Sequence, residues 1–238
     1  MTKPTAPRKA DVLSKLEYAN HRVQELLNTL YLANSTASDP AHLVHTCADI
    51  ISSVRECFDY LGQDIISAYV VPNTTNAKTS TAFSNGTLKA YFPYFSTQIK
   101  RPDSIFAELL QHTPALHQDL LDFTDNIASN ATMPNTLFTF QLLDDVRVMV
   151  NEKKHDKLLA VVPNADAAYL IEGEGVTITL PHRDQQGWSS FAVEPGSTVK
   201  SVSEYRFAHN DKEVGKFCMY ATRATECVIN QFYSDHFA

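Results

Sequence analysis

The sequence predicts an α+β protein: an N-terminal helical bundle, then a mostly antiparallel β-sheet, then a C-terminal helix. Three observations carry that reading. Apolar residues recur every three or four positions in the stretches Val12 to Leu30, Leu43 to Ile65 and Leu142 to Met149. From Val161 onward the spacing falls to two. Gly173-Glu174-Gly175 then stands between two alternating runs, which is a hairpin signal. The chain accordingly divides into a disordered lead-in over 1–8, a bundle over 9–159, and a strand-rich region with its helix over 160–238, packed on the bundle as one unit.

The first helix is predicted over Lys9 to Ala33, because Val12, Leu16, Ala19, Val23, Leu26 and Leu30 form a single stripe. Asp39 and Pro40 suit the N-cap and first position of a second helix, and Pro72 ends it. Its face carries Leu43, Cys47, Ile50, Val54, Phe58, Leu61 and Ile65, so the two helices make an antiparallel hairpin. Residues 72–90 are rich in Thr, Asn and Ser and read as a long polar loop. Tyr91 to Phe95 is an extended aromatic segment around Pro93. Pro102 and Pro114 open two short helices, and a last long helix is predicted over Asn135 to Leu159. Strands follow at 169–171, 176–180, 191–193, 198–207 and 214–221, with a closing helix over Ala224 to Phe237.

The chain of 238 residues has 44% hydrophobic residues and a net charge of −7, ordinary values for a globular protein that repels phosphate backbones on average. A cytoplasmic protein with no membrane association is expected, since the basic N-terminus lacks an apolar run and no stretch has transmembrane length. Cys47, Cys57, Cys218 and Cys227 form no C-x-x-C pair and read as free, buried small hydrophobes, the last two in or near a strand. Sequons at Asn34, Asn73, Asn85 and Asn130 read as turn chemistry. Phosphate-loop, nucleophile-elbow and zinc-hydrolase motifs are absent, and no cofactor or metal site is expected.

The densest group of chemically capable residues is Arg147, Asn151, Lys154 and His155. On a helix, Arg147, Asn151 and His155 fall at i, i+4 and i+8, a polar stripe about 12 Å long. The group suits an anion or nucleotide site, or acid–base chemistry at His155, whose imidazole titrates near neutrality. It also suits a solvated helix face, or a capping cluster where the helix ends and the strands begin. Arg55 and Asp59 are an i, i+4 pair on the second helix, where Asp59 could meet Lys154 or His155. His42 and His45 lack a third ligand on their face, because Cys47 points elsewhere. The aromatic segment suits base stacking or packing, and Trp188 reads as an exposed aromatic.

Three stretches taken together resemble a HEPN-like helical-bundle family of bacterial and phage proteins. Ile51 to Leu61 resembles that family's LRSALDHL-type helix, with Tyr60 where His is common. Phe92-Pro93-Tyr94-Phe95 is similar to its FPIF-type segment, and Asn151 to His155 to its N-x-x-KH stretch. The resemblance covers roughly residues 10–160. It implies a bundle that pairs as a homodimer, and either a non-catalytic member or a metal-independent ribonuclease. The family's nucleases carry Arg, four to six residues, then His, whereas seven residues separate Arg147 from His155 here. The first expectation is therefore a non-enzymatic binding or regulatory protein of the defence or counter-defence kind. Its nucleotide, RNA or protein ligand would sit near Asn151, Lys154, His155, Asp59 and Arg55. The alternative is a ribonuclease with His155 as acid–base and Arg147 or Lys154 steadying the phosphate.

Overall fold

A computed structural model describes residues 3–33, 40–88, 91–154, 159–173, 176–181, 196, 198–208 and 210–238. The α+β class holds, with helices dominating. Helix α1 spans Lys9–Ala33 and α2 spans Pro40–Ile65, continued by a π-helical turn over Ile66–Val70. Short helices follow: α3 (Ala77–Ser84), α4 (Thr97–Lys100), a 3-10 turn (Ile105–Glu108) and α5 (Leu109–His112). Then come α6 (Pro114–Ala128), α7 (Gln141–Lys154), strands β1 (Val161–Gly173), β2 (Val176–Pro181) and β3 (Thr198–Phe207), and α8 (Val214–His236).

The α1–α2 hairpin forms as the spacing predicts. Val12, Leu16, Ala19, Val23 and Leu26 on α1, and Leu43, Cys47, Ile50, Val54, Phe58, Leu61 and Ile65 on α2, are all buried. Apolar stripes of this width drive two helices together by removing side-chain area from water. The position expected to be the N-cap, Asp39, lies outside the described residues. Sheet order is β2-β1-β3 with both pairs antiparallel, and the β1–β2 register runs to Gly173 opposite Val176, the hairpin that the glycines predict. Leu159, Val161, Tyr205 and Phe207 are buried, and the sheet meets the bundle where β1 packs on α2 and β3 on α8.

The largest difference from expectation is at the C-terminus. Residues 214–221 are not a strand; the helix starts at Val214 and packs on α1, α2 and α7 as a member of the bundle. The physical reason is period. Val214, Phe217, Cys218, Ala221, Ala224, Thr225, Val228, Phe232 and Tyr233 are buried at three- and four-residue spacing, which only a helix places on one side. Glu213 caps it, its carboxylate accepting from the backbone N–H of Gly215 (2.8 Å) and Lys216 (2.7 Å). Cys218 and Cys227 therefore lie on a helix, and Cys227 is exposed.

Smaller corrections follow the same logic of local hydrogen bonding. Helix α7 starts at Gln141 rather than Asn135, because Asn135 takes φ +58° in a turn whose arms pair Thr132 with Thr139. The polar loop over 72–90 contains α3, started by Asn76, whose side chain accepts from Lys78 N and Thr79 N. Ser104 rather than Pro102 opens the 3-10 turn, accepting from Phe106 N. The lead-in is held from Lys3 onward: Ala238 N donates to Pro4 O (2.9 Å) and Arg8 N to Asp64 Oδ1 (3.2 Å). The region 191–193 and Trp188 lie outside the described residues.

Candidate functional site

The aromatic segment positions the site. Phe92, Pro93 and Tyr94 in its middle are buried, while Tyr91 and Phe95 at its ends are exposed. Gly62 on α2 lets the segment lie flush against the helix: a Cβ there would meet Phe92 N at 3.0 Å. Inward, the Phe92 ring sits 5.2 Å from Phe58, 5.2 Å from Phe123 and 5.7 Å from Phe232, tilted or edge-to-face. The side-chain oxygen of Gln98 then accepts from Tyr94 N (2.7 Å) and Phe95 N (3.1 Å), which fixes the segment's exit.

Two guanidinium groups seat on consecutive residues of the segment, the buried Tyr94 and the exposed Phe95. Arg55, from α2, lies over the Tyr94 ring at 4.7 Å, and its Nη2 is 2.9 Å from Asp59 Oδ1. Arg147, from α7, lies over the Phe95 ring at 4.6 Å, and its Nε donates to Asp144 Oδ1 at 2.6 Å. Arg55, Asp59 and Arg147 are all close enough to act on the Tyr94 phenol. Burial pushes that phenol up to about 12 against the opposing pull of the Arg55 guanidinium, so it stays protonated at neutral pH. Arg55 Nη1 and the Tyr94 hydroxyl are buried without a well-formed hydrogen bond. A hollow of about 340 Å³ adjoins this place, lined in part by Tyr94, Phe95, Thr97, Gln141 and Asp144.

The chemistry on offer is recognition. Guanidinium stays charged at any ordinary pH and presents a planar fork to carboxylate or phosphate. Each fork here rests on an aromatic face, which holds its plane, and each is tethered by a carboxylate one helical turn away.

The structure thus brings Arg55, Asp59 and Arg147 together around Tyr94 and Phe95. Asn151 lies one turn further along α7 and is exposed. The Lys154 side chain and all of His155 lie outside the described residues, and with them the expected meeting with Asp59. His42 and His45 are exposed while Cys47 is buried, and among the described residues no group of three His, Cys, Asp or Glu side chains could hold a metal ion. Sequence reasoning misses Asp144 and the pairing of each arginine with a ring. The signal available was Asp144 at i−3 from Arg147, an intrahelical ion-pair spacing.

Neither protein-family models, nor curated proteins, nor solved structures give a match to this chain. No helix among the described residues is long and apolar enough to cross a membrane.

Proposed function

We propose that this protein is a non-enzymatic binding or regulatory protein, of the bacterial or phage defence or counter-defence kind, built on a HEPN-like bundle. Its ligand is a nucleotide or a nucleic-acid end, held on the face of α7 that carries Arg147 and Asn151 and leads towards Lys154, His155 and the sheet. One observation supports this reading above the rest: Arg147 stacks on Phe95, a ring that remains 42% exposed beside a hollow. An exposed ring stacks a base for about 1–3 kcal/mol, and a neighbouring guanidinium matches phosphate. Asn151 adds an amide one turn away.

The test is a titration of mononucleotides and short single-stranded oligonucleotides into purified protein. Arg147→Ala and Phe95→Ala should each weaken binding by about tenfold, the equivalent of one charge-assisted or stacking contact. Unchanged affinity in both variants removes the site. Incubation with structured RNA in the presence of chelator forms the second arm. Cleavage that disappears in His155→Ala would replace the binding reading with the metal-independent ribonuclease.

A further inference from the structure

We infer that a second hollow, between the π-helical end of α2 and the residues Phe83, Gly86, Leu88 and Tyr91, binds a small aromatic carboxylate. The hollow has a volume of about 470 Å³, within the range of small-molecule sites. Arg8 is its single charged lining residue among those described, and Gln63, Ser67, Phe83 and Tyr91 line it too. It is separate from the seam that carries Arg147.

The placement of each group follows from the fold. At Ile66 the α2 backbone shifts to π-helical winding up to Val70, and Ile66 and Ser67 from that turn face the hollow. Such turns break the regular ladder and occur often at functional sites. The flush contact at Gly62 sets Tyr91 at the opening. Helix α3 buries none of its residues, so Phe83 is 41% exposed and Tyr91 56% exposed beside the same space. Two large rings left open to water around the Arg8 cation offer walls for a flat apolar body.

The cation keeps an open side although it is paired with an acid. Beneath it lies the fully buried carboxyl of Asp64. That carboxyl is already served by the Arg8 backbone N–H at 3.2 Å and by the Tyr233 hydroxyl at 3.0 Å. The Arg8 guanidinium forms an ion pair with it, Nη1 to Oδ1 at 3.7 Å, longer than a hydrogen bond, with its side chain 38% exposed. The exposed side of the fork therefore remains for an incoming carboxylate, the planar partner a guanidinium takes in two parallel hydrogen bonds.

Calorimetric titration of the full chain with benzoate, 4-hydroxybenzoate and 2-naphthoate tests this, with benzamide and inorganic phosphate as controls. At least one carboxylate should bind, and benzamide should bind about tenfold more weakly or not at all. Phe83→Ala and Tyr91→Ala, both at exposed positions, should weaken binding by about tenfold with unaltered melting temperatures. Arg8→Lys, which keeps a positive charge beside Asp64, should weaken it through loss of the fork, and Arg147→Ala should leave it intact. Absence of binding by all three carboxylates overturns the inference. So does equal binding of benzamide, equal competition by phosphate, or affinity indifferent to both ring deletions.

Discussion

Two arginine–ring contacts, nearly identical in distance, sit on neighbouring residues of one extended segment and differ in what surrounds them. Arg55 over Tyr94 is closed in by the bundle, with Tyr94 1% exposed; Arg147 over Phe95 is open, with Phe95 42% exposed. Inside, the guanidinium is committed to filling a place among rings and to Asp59. Outside, the same contact holds a guanidinium in a fixed plane where a ligand can reach it. The segment leaves the core between Tyr94 and Phe95, which is what separates the two, and substitutions along it can break that separation.

The largest effect is expected from comparing Phe92→Ala with Phe95→Ala. Phe92 closes a cluster with Phe58, Phe123 and Phe232, so truncation should cost about 3–5 kcal/mol in urea unfolding. Truncating Phe95 should cost less than about 1 kcal/mol, the worth of a solvent-accessible cation–ring contact. Equal costs would mean that inward and outward are the wrong description.

Next in size is the comparison of Arg55→Ala with Arg147→Ala. Arg55 is 8% exposed, and removing it leaves Asp59 without its guanidinium in a poorly hydrated place. The expected cost is about 2 kcal/mol, less than for a fully enclosed pair because Asp59 keeps some exposure. Both pairs lie within one helix, but the Arg147 side chain is 21% exposed against 10% for Arg55, so its loss should cost about 1 kcal/mol. Chemical denaturation of both variants checks the order; a costlier Arg147 would mark it as the structural member.

How much of this was readable beforehand depends on the range of the interaction. The α1–α2 hairpin was legible because its stripes are long and their period is unambiguous. Arg55 with Asp59 was legible because i, i+4 spacing is local. The 214–221 segment was not, because Val214, Phe217 and Tyr220 favour strands one by one, and only the buried set running on to Tyr233 reveals the helical period. Nor was the seating of Arg147 on Phe95 legible, since 52 positions separate them and packing alone joins them. Local chemistry can be read from the chain, but which arginine meets which ring is decided by tertiary contact.

A pair of buried ionisable groups sharpens the inside of the comparison through pH. Burial raises the Asp64 carboxyl above its ordinary value, so the folded state holds that proton more tightly than the unfolded chain. Stability from this group is therefore greatest below the ordinary Asp range and declines as pH rises through the raised value. Burial lowers His117, so the unfolded chain binds that proton more tightly, and stability is gained as pH rises towards the ordinary imidazole range. Melting temperatures at acid and neutral pH should show Asp64→Asn gaining relative to the native sequence as pH rises. His117→Gln should lose relative to it over the imidazole range. The reverse slope for either would contradict the burial assigned here.

The smallest perturbation, and the most direct view of inside against outside, uses the thiols. Cys47, Cys57 and Cys218 are buried and Cys227 is exposed. Burial pushes the Cys57 thiol up to about 12, and its Sγ donates to Ser53 O at 3.2 Å. Contact with Cys47, then burial, raises Cys218 as well. Because thiolate is the reactive form and access is needed to reach it, an aromatic disulfide reagent at neutral pH should titrate one thiol quickly in the folded protein. It should titrate all four in urea, and Cys227→Ser should abolish the fast phase. A second fast thiol would show that α8 opens on the timescale of the reagent. The packing that makes the inward rings structural would then be less firmly closed than the outward ring is open.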